Sequence, residues 1–163
     1  MNASGIDVSK GKSMVSVLRP FGEVVAKPFK VRHTASELRE LADYLKSLDG
    51  ETRVILEHTG RYYEPVAQIL HDAGVFVSAV NPNLIKDYGN NSLRKVKTDK
   101  ADSRKIAWYG LDNWVEQRQH TPIDTIRHQL KTMNRQYGLY SKTKVSMKNN
   151  LISCWTRSIE RLS

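Results

Sequence analysis

The feature that most constrains how this chain can fold is a change in the way its strand-like segments are joined. Residues 4–8 (Ser-Gly-Ile-Asp-Val) read as a short buried strand, and residues 13–19 and 23–31 alternate apolar with polar side chains. Pro20-Phe21-Gly22 marks a tight turn between the last two. Joints this short allow only antiparallel neighbours, so the three segments predict a meander.

Beyond residue 33 the joints lengthen to the size of helices. Thr34-Ala35-Ser36-Glu37 has the form of a capping box, and Leu38, Leu41, Ala42, Leu45 and Leu48 follow as one apolar stripe that Asp49-Gly50 ends. Residues 52–57 (TRVILE) form a core strand, and Gly60 precedes a helix over about 61–73 that turns Val66, Ala67 and Leu70 inward and stops at Gly74. Residues 75–80 (VFVSAV) are a further buried strand, broken by Asn81-Pro82 before a short helix over 83–88. Residues 89–98 are polar and basic and read as a loop, and 99–112 return to a helical pattern. Strand-helix-strand steps require parallel pairing. The fold class is therefore α/β, a mixed five-stranded sheet with helices on both faces.

From about residue 121 the pattern changes. Thr121 can cap a helix with Pro122 in its first turn. Ile123, Ile126, Leu130, Met133, Tyr137, Tyr140, Lys144, Met147, Leu151 and Cys154 then recur at alternating spacings of 3 and 4, a heptad stripe that Lys144 interrupts and Gly138 weakens. A helix packed on its own domain, a helical hairpin and an intermolecular coiled coil all fit the stripe; the last would make the protein a homo-oligomer. Charge marks the same boundary. Residues 1–117 carry 17 basic and 15 acidic side chains, residues 118–163 carry 9 and 2, and the whole chain has a net charge of +9. We therefore expect a domain over 1–117 and a basic helical segment over 118–163. A basic surplus favours polyanionic partners, because each cation at a phosphate releases counterions. One cysteine, Cys154, excludes an intrachain disulfide and fits a reducing cytoplasm. No apolar run has the length of a signal core or membrane span, so the chain is expected to be cytoplasmic and to have no membrane partner.

Four acids stand where chemistry could use them. In Gly5-Ile6-Asp7-Val8-Ser9, Asp7 faces away from Ile6 and Val8, and a carboxylate in a core strand is costly unless compensated. Glu57 ends the strand Val54-Ile55-Leu56-Glu57, and parallel strands bring their carboxyl ends to one rim. Asp99 and Asp102, three apart, share one face of a helical first turn, where the helix dipole favours anions. Each acid alone fits a bland role equally well, a turn cap, a solvated strand end or a helix cap. Together they offer four hard oxygen donors, the set Mg²⁺ or Mn²⁺ prefers, and such ions act on phosphodiesters. Arg94, Lys95, Lys97, Lys100, Arg104 and Lys105 lie alongside as candidate phosphate contacts, and Arg127, Lys131, Arg135, Lys142 and Lys148 give the tail a basic outer face. The five histidines are scattered; His58, beside Glu57, fits a structural role better than a ligand's.

Three segments in order, Gly5-Ile6-Asp7-Val8-Ser9-Lys10, Leu56-Glu57-His58-Thr59-Gly60 and Lys97-Thr98-Asp99-Lys100-Ala101-Asp102, together with Val80-Asn81-Pro82, resemble the N-terminal domain of the DEDD-type transposases of the IS-one-ten insertion-sequence family. The resemblance implies a RuvC-like fold of the RNase H-like class. It implies a metal-binding, catalytic role for Asp7, Glu57, Asp99 and Asp102, and DNA recombination directed by a guide (bridge) RNA. It further implies a second domain with a nucleophilic serine, which the sequence to Ser163 does not include, and a coiled-coil or linker role for the tail. Two other readings compete. One is a Holliday-junction-resolvase-like nuclease with the same acids, and the other is a non-catalytic RNA- or DNA-binding oligomerisation module. An actin-like ATPase also opens on a Gly-Ile-Asp strand but needs a later glycine-rich phosphate loop, which is not in this sequence.

Overall fold

The structure, a computed structural model, describes residues 1–58, 60, 62–88, 98–121 and 125–160, the side chains of 125, 128 and 157–160 excepted. It divides into two compact units, Met1–Pro122 and Ile123–Ser163, which are described separately.

In the first unit, β1 (Asn2–Ser9), β2 (Lys12–Leu18) and β3 (Val24–Arg32) form the expected meander. After α1 (Ala35–Ser47), β4 (Thr52–Glu57) pairs parallel with β1, and after α2 (Tyr63–Asp72), β5 (Phe76–Val80) pairs parallel with β4. Two further helices, α3 (Pro82–Asp87) and α4 (Asp99–Asp112), complete the unit. The sheet order is β3-β2-β1-β4-β5, so β1 sits in the middle, antiparallel to one neighbour and parallel to the other. This is the mixed five-stranded sheet expected from the sequence.

Each face of the sheet has its own core. Ile6, Val15, Val17, Val54, Leu56 and Val77 pack with Leu38, Leu41, Ala42 and Leu45 of α1 and with Val66, Ala67 and Leu70 of α2. On the other face Ala3, Ile55 and Val80 pack with Ile85 of α3 and Ile106 of α4. Alternation along each strand sorts the two sets. The capping box at α1 forms by half. Thr34 Oγ1 accepts from Glu37 N at 3.3 Å, but the Glu37 carboxylate accepts from Arg32 N at 2.7 Å and pairs with the Arg32 guanidinium at 3.6 Å. A charged partner on the incoming strand has taken the acid that the motif turns back on the cap.

β1 and α4 approach each other closely at Gly5. A Cβ on Gly5 would fall inside the van der Waals shells of Ser103 O and Ala107 N, both backbone atoms of α4. Ser16 of β2 and Ser103 share a buried hydrogen bond of 2.6 Å beside this contact. At the other end of the helix, Gly110 makes room for Ile55.

The second unit is α5 (Thr125–Glu160), 36 residues or about 54 Å of helix. Pro122, expected in the first turn, lies with residues 123 and 124 outside the described residues. Leu130, Met133, Tyr137, Tyr140, Met147 and Leu151 of the heptad stripe are all exposed in the single chain.

Because backbone atoms cannot rotate away, Gly5→Ala is expected to cost about 2 kcal/mol or more and to lower the thermal midpoint of the first unit by several degrees. Gly138→Ala in α5, where a Cβ meets open space, leaves that midpoint unchanged. Scanning calorimetry of both variants checks this, and equal midpoints would refute the backbone contact.

Candidate metal and nucleic-acid site

The site grows out of the sheet order. In a parallel pair β1 and β4 end side by side, and their register sets Ile6 opposite Leu56, with Asp7 and Glu57 one residue further on. Gly5 and Ile55 both face α4, and side chains alternate, so Asp7 and Glu57 face it too. The helix begins at this rim. Thr98 caps it, accepting from Ala101 N at 3.2 Å, and leaves Asp99 and Asp102 in the first turn. Asp7, Glu57 and Asp102 are half-buried, and Asp99 is exposed.

Electrostatics ties the four together. Burial raises the Asp7 carboxyl from its ordinary 3.8 to about 6, with repulsion from Asp102 and then Asp99 adding to it. Burial also raises Glu57, reinforced by repulsion from Asp7 and Asp102 and opposed by the Lys105 ammonium. The structure thus brings all four predicted acids within electrostatic reach on one face of the sheet. They are not drawn into a cage. Among the described residues no three His, Cys, Asp or Glu side chains gather closely enough to hold an ion. The donors nonetheless suit a hard divalent cation, being oxygen only and under a mutual repulsion that positive charge relieves.

Lys100 and Arg104 are exposed on α4. Lys105 is half-buried on the side of α4 toward α3, where its Nζ donates to Lys86 O at 3.0 Å. Its place beside Glu57 is a feature the sequence reading missed. The signal was present, since Asp99, Asp102 and Lys105 step by three along one helix. Arg94, Lys95 and Lys97 lie outside the described residues. Arg127, Lys131, Arg135, Lys142 and Lys148 are exposed on α5. His58 continues the β4 ladder by donating from its backbone N to Val80 O at 3.0 Å, and its ring stacks on Tyr63 of α2 at 5.9 Å between centroids.

Asp7 has a thermodynamic consequence with a definite sign. Its folded pKa of about 6 lies above its ordinary 3.8, so the folded state binds the proton more tightly than the unfolded chain. Stability therefore falls as pH rises from about 4 through about 6 and stays lowered above. In metal-free buffer Asp7→Asn is expected to exceed wild type by about 1 kcal/mol at about pH 8, after discounting for solvent screening of a half-open site. Near pH 4 the two converge. Thermal midpoints across this range check the prediction, and a gain independent of pH would contradict it.

Comparison with known proteins bears on the fold and the family. No curated protein matches the chain. Among solved structures similar to it are two of RuvC from Thermus thermophilus, one in complex with Holliday junction substrate. Both have a TM-score of 0.53 and cover 71% of this chain and 96% of the RuvC chain, at 14% and 16% identity. That likeness establishes the fold as RuvC-like, within the RNase H-like class. The profile of the DEDD transposases of IS110 elements, described as "Transposase", matches residues 4–158, nearly the whole sequence. The chain belongs to this transposase family.

Proposed function

We propose that the first unit is the metal-dependent, acidic half of a DNA transposase, holding Mg²⁺ or Mn²⁺ between Asp7, Glu57, Asp99 and Asp102 and acting on a DNA phosphodiester. The observation that carries this reading is the coupling of four carboxylates from two strand ends and one helix turn. A divalent cation bound there supplies Lewis acidity to a phosphodiester oxygen. The protein's own contribution is positional. Asp7 and Glu57 rise from adjacent ordered strands, Thr98 fixes the first turn that carries Asp99 and Asp102, and Lys105 biases Glu57 toward its charged, ligating form. Lys100 and Arg104, exposed on the same helix, are the residues we assign to phosphates of the strand. A resolvase would use the same acids; the family match over residues 4–158 favours transposition. A guide RNA, which the family resemblance implies, is the second polyanion we assign to this basic chain.

Titration of Mn²⁺ or Mg²⁺ into wild type, Asp7→Asn and Asp102→Asn tests the site. Each substitution is expected to weaken binding at least tenfold, since each removes a charged oxygen donor. Equal affinity in all three proteins would exclude the proposed ligands.

We assign α5 to pairing with a second copy of this chain. Its exposed heptad residues form a stripe that a lone helix leaves in water, while Arg127, Lys131, Arg135, Lys142 and Lys148 lie off that stripe, on the surface a coiled coil leaves free for nucleic acid. Sedimentation equilibrium is expected to show a mass that rises with concentration, and Leu130→Asp with Leu151→Asp to return the monomer. A wild-type mass that stays monomeric throughout would remove the assignment.

A further inference from the structure

The sheet face that carries Asp7 and Glu57 continues past them to the β3 edge, and its charge changes sign on the way. Residues opposed across a ladder point to the same face. Asp7 stands opposite Met14, and Met14 opposite Lys30. One row toward the rim, Ser9 stands opposite Lys12, and Lys12 opposite Arg32. Because Asp7 and Ser9 alternate onto one face, Lys12, Lys30 and Arg32 share the face of the carboxylates. All three cations are exposed.

The helix above adds two more. A Cβ at Gly22, in the β2–β3 turn, would lie 3.2 Å from the Trp108 ring, so the Trp108 side of α4 looks toward β2 and β3. Arg104 is one turn back on that side and Lys100 two turns back, both exposed. Among the described residues none of Lys12, Lys30, Lys100 and Arg104 is held in an ion pair, whereas Arg32 is shared with Glu37 at 3.6 Å. Charge on an edge strand also discourages edge-to-edge pairing. That accounts for Lys30 and Arg32. It does not account for Lys12 on the interior strand, or for Arg104 and Lys100 on the helix.

We propose that this surface is a second phosphate-binding track, which holds the backbone of the substrate DNA strand flanking the phosphate at the carboxylates. It rests on the carboxylate reading given above and extends it. Strand spacing places Lys30 about 10 Å across the sheet from Asp7, about three base-pair steps of rise along a B-form axis. The DNA then runs from the β1 and β4 ends over β2 to the β3 edge, with Lys12 and Lys30 beneath it and Arg104 and Lys100 at its side.

The test compares DNA affinity over a range of salt for the full chain and two triple variants, using a short duplex with Ca²⁺ present. Lys12→Gln/Lys30→Gln/Arg32→Gln is expected to weaken binding and reduce the slope of log affinity against log salt by about 2 to 3, about one per lost phosphate contact. A control removes equal charge from α1 and from the segment along β5, the opposite edge of the sheet: Arg39→Gln/Lys46→Gln/Arg118→Gln. It is expected to keep the wild-type slope. An unchanged slope in the first variant, or an equal loss in both, overturns the track. Metal titration of the first variant and of Asp7→Asn separates the two readings. If Asp7→Asn binds metal as wild type does, the carboxylate reading fails whatever the slopes show. If Asp7→Asn loses metal, the first variant keeps it and the slope is unchanged, the track fails alone.

Discussion

The backbone contact between β1 and α4 is the constraint on which the rest of the first unit depends. The contact needs a residue without a side chain at Gly5, and it fixes more than a distance. Ala3 lies by Gly110, Gly5 by Ser103 and Ala107, and Asp7 within electrostatic reach of Asp102 and Asp99, so strand and helix run side by side in opposite senses. Four residues of strand cover about 13 Å and eight of helix about 12 Å, so the two elements keep step from one end of the contact to the other. A bulkier residue at position 5 would lift the helix off the sheet and carry Asp99 and Asp102 away from Asp7. The buried pair Ser16 and Ser103 fastens the same helix to β2, so the alignment is held across two strands.

That alignment brings like charges together, which the fold tolerates at a cost. Asp7 bears most of it, since the strand interior removes water from a carboxylate that already faces two others. Two local features reduce the cost. The first turn of α4 presents unpaired backbone N–H groups that favour Asp99 and Asp102. On the other flank, Lys105 stands near Glu57 while its ammonium is anchored to the Lys86 carbonyl. Neither relieves Asp7. Among the described residues, Asp7, at the centre of the sheet, is the acid whose charge is left least balanced.

Much of this was legible in the sequence because it is local. The strands, the order of short and long joints and the first turn of α4 all rest on patterns within a few residues of each other. The mixed sheet followed from how the strands are joined. The half-formed box at Thr34 was not legible, because Arg32 competes for Glu37 through a bend in the chain that no spacing records. Nor was the position of Lys105, which depends on α3 meeting α4 across nineteen residues of sequence. Lys12, Lys30 and Arg32 stand for a third kind of hidden signal. Each is unremarked in sequence, an ordinary charge on the open side of a strand. Only the pairing register, with its irregularity between Val15 and Val17, puts them in the rows of Asp7 and Ser9.

Those rows bear on what the site can select. A carboxylate cluster alone attracts cations and repels polyanions, so a phosphodiester approaches it only where neighbouring positive charge offsets the repulsion. On this face the offset is built into the sheet. Moving outward from Asp7 the ladder passes an uncharged Met14 and reaches Lys30, and from Ser9 it passes to Lys12 and Arg32. Reversal of sign over about 10 Å is comparable to the Debye length at physiological salt, so on the proposed reading the two regions act on one strand without cancelling each other in solvent. A ligand that satisfies both must bring negative charge along the cations and an oxygen that shares a cation with the acids. A nucleic-acid strand does both with one repeating group, the phosphodiester.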